Sequence, residues 1–344
     1  MNYKLLGKSG LRVSELCLGT MTFGEEWGWG ASVEECRKMY DAFVKEGGNF
    51  IDTANRYTEG TSEKIIGDLI CHDRENIVLA TKYSLKMKQG DPNWSGNHRK
   101  NMVQSLHHSL KRLKTDYIDL YYIHAWDFTT GVDEVLRSLD DAVRQGKILH
   151  IGISDTPAWI VSQMNTIAEL RGWSSFSGLQ VEYSLVERTP ERELLPMARA
   201  FDMAVLPWSP LGAGVLTGKF SGGKHQEKTR IKEGSRRLSE RNMKIADAVA
   251  AVASELNVSP AQIALAWLLH QPGVNIPIIG GRNESQIKDN LNSVKVKLTA
   301  DHLKRLNDVS AIELGFPYEF LNANNTKDLL FGGTVEKIKN HRVK

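Results

Sequence analysis

The chain has 344 residues, 44 of them basic and 41 acidic, for a formal net charge of +3, with 41% apolar and 25% charged residues. Such a balance is ordinary for a soluble globular fold and excludes the basic field that nucleic-acid binding requires. The length is one that barrel folds commonly fill as a single domain, so one domain over residues 1–344 is expected.

In chain order, residues 3–14 predict a small hairpin with its turn at residues 7–10, running into a first strand near residues 16–18. Ser32 with Glu35 three residues on reads as a capping box that opens an amphipathic helix, and Gly47 stops it. "NFID" is a strand, "SEKIIGDLI" a helix and "NIVLATK" a strand. "NMVQSLHHSLKRLKT" is a helix with Met102, Val103, Leu106, Leu110 and Leu113 on its apolar face, and "YIDLYYIH" is a strand. The alternation continues through the helix "VDEVLRSLDDAVRQG", the strand "ILHIGIS" and the helix "PAWIVSQMNTIAEL", which has Pro157 at an early position. It goes on with the strand "GLQVEY", the helix "RELLPMARAF" and the strand "MAVLPWSP". A Gly/Lys/Arg-rich segment covers residues 211–240, and helical runs follow through Leu269. Then come the strand "VNIPIIG", the helix "ESQIKDNL" and, from Thr299, one more helix and an extended tail.

About eight strand–helix repeats imply right-handed crossovers and a parallel sheet closed into a (β/α)8 TIM barrel, with the N-terminal hairpin and the C-terminal helix and tail added to it. An open doubly wound sheet is the runner-up, but it wants a Gly-rich dinucleotide turn after its first strand. Here "LGTMTFGEEWGWG" follows, and no GxGxxG fits.

Cys17, Cys36 and Cys71 are odd in number and lack CxxC spacing, against a disulfide framework or a structural zinc site. Residues 1–10 lack the apolar run of a signal peptide, and no apolar run is long enough to span a membrane; a cytoplasmic location is the expectation. Nor does another metal site emerge: no HExxH occurs, and the adjacent His107 and His108 do not share a helix face. "GAGVLTGKF" fails the phosphate-loop pattern at Ala213 and Phe220. The basic stretch at residues 221–237 has no aromatic interleaving and reads as a loop that folds over a cofactor.

In a TIM barrel the C-terminal ends of the strands line the active face. Strand two ends in Asp52, strand three in Lys82 and strand four in His124, while Tyr57 follows strand two in its loop. Taken singly, Asp52 is a turn cap, Lys82 a solvated strand end, His124 a core histidine and Tyr57 a surface residue. Their convergence from three consecutive strands makes four independent explanations unattractive. The chemistry also fits. A phenol with a pKa of about 10 is a poor acid near neutrality, and a neighbouring ammonium lowers that pKa. Lys82 supplies the charge, Asp52 holds the lysine and His124 orients a carbonyl oxygen. The set amounts to a general acid for a developing alkoxide.

This constellation resembles the aldo-keto reductase family. The resemblance runs in order through "DTANRYTEG", "ATK", "YYIHAWD", "GISD", "LQVEYS", "PWSPLGAGVLTGKF" and "GGRNESQIKDNL", over most of the chain, and "IHAWDFTT" looks most like the aryl-alcohol dehydrogenase branch. It implies reversible NADPH-dependent reduction of aldehydes and ketones, with a hydride from nicotinamide C4 and a proton from Tyr57. Ser154 and Gln180 would hold the carboxamide, Trp208 would stack on the nicotinamide, and Ser209, Leu211, Gly212 and Gly214 would approach the pyrophosphate, with Lys219 and Gly280 also on the cofactor. Arg282, before the helix "ESQIKDNL", would meet the adenosine 2′-phosphate, favouring NADPH over NADH. Gln286 and Asn290 match the adenine side.

Asp155 departs from the family's usual Asn. An ionised Asp only accepts hydrogen bonds, so its partner is either an amide NH2 or a group elsewhere.

Loops after the first four strands contribute Phe23, Trp27, Trp29, Trp94 and Trp126, an aromatic set suited to an aryl or apolar aldehyde as the small-molecule partner. Two other functions stay compatible with these residues. One is a cofactor-binding regulatory subunit with little turnover. The other is a non-redox barrel enzyme that takes a sugar phosphate at the strand-eight phosphate site.

Overall fold

The computed structural model describes residues 1–220 and 235–339. Most of the stretch read above as a loop over the cofactor, residues 221–234, lies outside the described residues.

β1 (Tyr3–Leu5) and β2 (Arg12–Ser14) pair antiparallel as the N-terminal hairpin. The chain then alternates β3 (Cys17–Gly19), α1 (Val33–Lys45), β4 (Phe50–Asp52), α2 (Thr61–Ile70), β5 (Val78–Tyr83), α3 (Arg99–Leu113), β6 (Ile118–Ile123), α4 (Val132–Arg144), β7 (Ile148–Ser154), α5 (Ala158–Arg171), β8 (Phe176–Glu182), α6 (Leu194–Ala200) and β9 (Ala204–Trp208). After residues 221–234 come α7 (Glu240–Leu256), α8 (Pro260–Leu269), β10 (Ile278–Ile279), α9 (Glu284–Leu291), α10 (Ala300–Ser310), α11 (Tyr318–Asn322) and α12 (Asn324–Phe331). Beyond α10, the expected extended tail is therefore partly helical.

Eight parallel strands stand in the order β10-β3-β4-β5-β6-β7-β8-β9, the (β/α)8 arrangement. Closure rests on the segment before β10. Val205 donates to the Val274 carbonyl at 2.7 Å and accepts from Ile276 at 2.9 Å. The strand expected over "VNIPIIG" shrinks to Ile278–Ile279 because Pro277 has no N–H for the ladder. Its carbonyl still accepts from Cys17 at 3.0 Å, which ties the last strand to the first.

Both faces of the strands are buried, and successive side chains alternate between them. Phe50, Val78, Ala80, Leu120, Tyr122, Ala204 and Leu206 pack together inside the barrel, whereas Ile51, Leu79, Tyr121 and Ile123 face the surrounding helices. Tyr122 fits inside because two neighbours lack side chains. A Cβ at Gly152 would lie 2.3 Å from its ring, and one at Gly178 3.1 Å from its hydroxyl.

The hairpin plugs the far end of the barrel, where Leu6 and Val13 join the interior cluster. Gly7 sits there at φ +55°, and a Cβ would lie 2.5 Å from the Asp202 carbonyl, so the turn needs glycine. Among the described residues, no single helix is long and apolar enough to cross a membrane.

Candidate active site

Strand alternation places the chemistry. Asp52 lies two residues beyond the interior Phe50, Lys82 two beyond Ala80, and His124 two beyond Tyr122. By the same step Trp208 follows Leu206. Each side chain therefore emerges at the C-terminal mouth of the barrel, one layer above the apolar filling.

Lys82 is fully buried. Its Nζ donates to Asp52 Oδ2 at 2.5 Å, to the Thr53 carbonyl at 2.9 Å and to Tyr57 Oη at 3.1 Å. Asp52 Oδ1 accepts from Gln180 Nε2 at 2.9 Å. A buried ammonium would be costly alone; here a carboxylate, a carbonyl and a phenol satisfy it. Burial pulls the Lys82 pKa down, but Asp52 and then Tyr57 outweigh it, so the amine stays charged. Burial is also the larger influence on Tyr57 and raises its phenol above the ordinary value, against the pull of Lys82. This corrects the sequence expectation of a lowered phenol: desolvation beats the neighbouring charge, and the proton stays on at neutral pH.

His124 meets Tyr57 edge-on, with ring centroids 5.9 Å apart. Burial, helped by the Lys82 charge, holds its imidazole well below the usual range, so it is neutral. Its buried Nδ1 has no hydrogen-bond partner among the described residues. The turn that carries Tyr57 holds Thr58 at φ 43° and Glu59 at φ 57°. Thr58 Oγ1 pins the turn by donating to the Phe23 carbonyl at 2.7 Å and accepting from Ser62 N at 3.0 Å.

These groups open into a cleft of about 880 Å³. Asp52, Tyr57, His124, Ser154, Gln180, Trp208, Ser209, Leu211, Gly214, Lys219, Gly280, Arg282 and Gln286 line it, together with Asp155 and Trp29. Lys82 lies beneath Tyr57 and is not on the wall. Two residues expected on the cofactor are placed differently. Gly212 is buried at φ +58°, where a Cβ would come within 2.7 Å of Val186, so it shapes the loop from below. Asn290 is buried and donates to the Gly280 carbonyl at 3.2 Å, bracing the turn before α9.

The aromatic set divides in the same way. Only Trp29 of the five lines the cleft. Phe23 is fully buried under the Tyr57 turn, and Trp126 packs against the outer core. Trp94 stacks on His108 at 5.3 Å, while Trp27 donates to Glu59 and lies under Arg56. Loop tryptophans far apart in sequence found nearer partners, which the chain order did not reveal. Asp155 turns to Trp208, whose indole N–H donates to Oδ1 at 3.2 Å.

Sequence reasoning singled out neither Met21 nor Thr22 on the wall, and it placed Arg237 there only as the end of the basic stretch at residues 221–237. The first two directly follow β3, so the strand-end rule would have found them. Arg237 pairs with Glu182 at 2.7 Å, across 55 residues of chain, a partner that no local signal gives.

The geometry defines a class before any comparison: a (β/α)8 barrel whose mouth holds a tyrosine backed by a buried lysine–aspartate pair and a neutral histidine. A model of the aldo/keto reductase family matches residues 15–311, and the chain belongs to that family. It is 38% identical over 329 residues to a norsolorinic acid reductase of Aspergillus flavus, covering 92% of this chain and 83% of the relative. It is 37% identical over 334 residues to an aryl-alcohol dehydrogenase [NADP(+)] of Phanerodontia chrysosporium, covering 90% and 86%. An aryl-alcohol dehydrogenase of Pestalotiopsis microspora is 37% identical over 350 residues, covering 97% and 86%. This chain is an NAD(P)-dependent oxidoreductase that acts on carbonyl and alcohol groups.

Proposed function

We propose that the protein reduces aryl or otherwise apolar aldehydes and ketones with NADPH, reversibly, and that Tyr57 is the proton donor. The carrying observation is the Lys82 contact with both Asp52 and Tyr57.

The cleft suits a nicotinamide dinucleotide in shape and chemistry. Gly214 lines it, and a Cβ there would meet nothing within 4 Å, so a side chain would fill space that a ligand needs. Trp208 offers an aromatic face, and Ser154 and Gln180 lie beside it on the wall. An ionised Asp52 only accepts, so the Gln180 NH2 faces it and the amide oxygen is left for the carboxamide NH2. At the other end, Arg282 and Gln286 flank the start of α9, the place for a 2′-phosphate. When bound, the cofactor supplies a hydride from nicotinamide C4.

The protein's part is acid catalysis and orientation. Neutral His124 and Tyr57 hold the carbonyl oxygen by hydrogen bonds. As charge develops on that oxygen, the phenol proton moves to it. Lys82, 3.1 Å from the phenol oxygen, stabilises the phenolate left behind. The raised resting pKa keeps the proton on Tyr57 at neutral pH, and the transfer is still favourable because the developing alkoxide is a stronger base than the phenolate. Trp29 and Met21 give the substrate side an apolar wall. The three unpaired cysteines are consistent with a reducing, cytoplasmic setting.

The test is a panel of aryl and alkyl aldehydes followed by NADPH absorbance, with Tyr57→Phe beside the wild type. Aryl substrates are expected to lead. The variant is expected to lose about 10²-fold or more in kcat while quenching of tryptophan fluorescence by NADPH persists. Turnover retained by the variant would remove Tyr57 from the role.

A further inference from the structure

Glu35 does not act as the local cap that its spacing from Ser32 predicts. Ser32 Oγ accepts from Glu35 N at 3.4 Å, but the Glu35 carboxylate does not turn back to the Ser32 backbone: Oε2 stays with Lys38 of the same helix and Oε1 reaches beyond it. Its Oε1 accepts the Glu284 N–H at 2.8 Å, at the first residue of α9 and 249 positions away in sequence. Barrel closure sets α1, after the first barrel strand, beside α9, after the last.

We infer that Glu35 is a specificity-determining residue that weakens the preference for a cofactor carrying a 2′-phosphate. The inference rests on the proposed reading of α9 and Arg282 as the site of that phosphate. At this turn Gln286 N donates to Asn283 Oδ1 at 3.0 Å and Arg282 N to Gln286 Oε1 at 2.9 Å. Three backbone donors are thus held by protein acceptors, and of those acceptors only Glu35 is charged. An anion at a helix start uses the same N–H groups and the same positive dipole end. A phosphate there meets a carboxylate that already occupies the first donor; a 2′-hydroxyl carries no charge to repel. Lys38 moderates the effect. Its Nζ lies 3.5 Å from Glu35 and 3.1 Å from Glu34, so one ammonium is shared by two carboxylates. Glu284, paired with Lys288 at 2.7 Å, is the other acid at this turn, and Lys38 and Lys45 bear on it.

The experiment measures Kd for NADPH and NADH on the full chain by tryptophan quenching, at low and high salt. Glu35→Gln keeps the acceptor and removes the charge. It is expected to raise the ratio Kd(NADH)/Kd(NADPH) by about twofold to fivefold, the scale of a partly exposed charge interaction. The NADH value should stay constant and the gain should shrink in high salt. Glu34→Gln removes the same charge from the same helix without touching α9 and leaves Lys38 to Glu35 alone, so it should raise the ratio by less than Glu35→Gln does. Glu35→Ala, which also frees the N–H, should raise the ratio at least as much and serves if the first variant misfolds. An unchanged or lower ratio in both Glu35 variants, or an equal rise in Glu34→Gln, overturns the inference. Arg282→Ala separates the two levels. If it leaves the wild-type ratio unchanged, the 2′-phosphate reading falls and this inference with it. If it lowers the ratio while the Glu35 variants do nothing, that reading stands and the role of Glu35 alone is lost.

Discussion

The two ends of the cleft handle charge differently. At the tyrosine end, Lys82 and Asp52 are almost completely withdrawn from water, and a direct hydrogen bond of 2.5 Å joins them. At the α9 end, the Glu35 and Lys38 side chains keep 27% and 48% of their exposure, and the ion pair between them is longer, at 3.5 Å. Burial multiplies the consequence of each charge, because removing one partner strands the other in a medium that solvates it poorly. Partial exposure divides it. The proposed roles follow that difference: a chemical step with a large energetic demand at the first end, and a graded preference between similar ligands at the second.

Substitutions at the two ends should reproduce that contrast. The largest effect is expected for Lys82→Met, which leaves Asp52 buried with Gln180 as its remaining side-chain donor. A stability loss of about 3–5 kcal/mol is expected from urea unfolding, with turnover lost as well. Stability near the wild-type value would mean that the pair is better hydrated than its geometry implies.

His124→Gln comes next, through pH. The folded imidazole lies well below the ordinary 6.5 of the unfolded chain. The unfolded state therefore binds the extra proton first, and the contribution of neutral His124, intact above 6.5, is lost as pH falls below it. Urea midpoints at pH 7.5 and 5.0 should differ more in the wild type than in the variant. Equal differences would assign the acid sensitivity to other groups.

The smallest effect belongs to the exposed end. Arg282→Ala should weaken NADPH binding by about tenfold, the scale of one charge-assisted contact, and change NADH little. Equal losses for both cofactors would place Arg282 outside 2′-phosphate recognition and blur the contrast between the ends.

Legibility in the sequence followed the same divide. Strand ends are local features, so "NFID", "ATK" and "YYIH" were readable, and with them the positions of Asp52, Lys82 and His124. Tyr57 was readable as the loop residue after strand two, although the turn that fixes it, with Thr58 at φ 43°, was not. Contacts across the barrel left no local trace. Glu35 reads as a cap in a window of four residues and serves a helix 249 positions on. Phe23, Trp94 and Trp126 read as pocket lining because they follow the right strands, yet each packs elsewhere, and Trp27 lies behind the wall with its ring centroid 5.6 Å from that of Trp29.

The sequence by itself determined the alternation of strands and helices, the residue types at the strand ends and the family that these motifs indicate. Those properties depend on near neighbours and on a period of two or 3.6. Only the tertiary structure decided the protonation of Tyr57, because that balance sets desolvation against the Lys82 charge, and desolvation exists only once the barrel has closed. It also decided the partner of Glu35. A side chain bonds to whatever closure brings within about 3 Å, and closure joins the first helix of the barrel to the last.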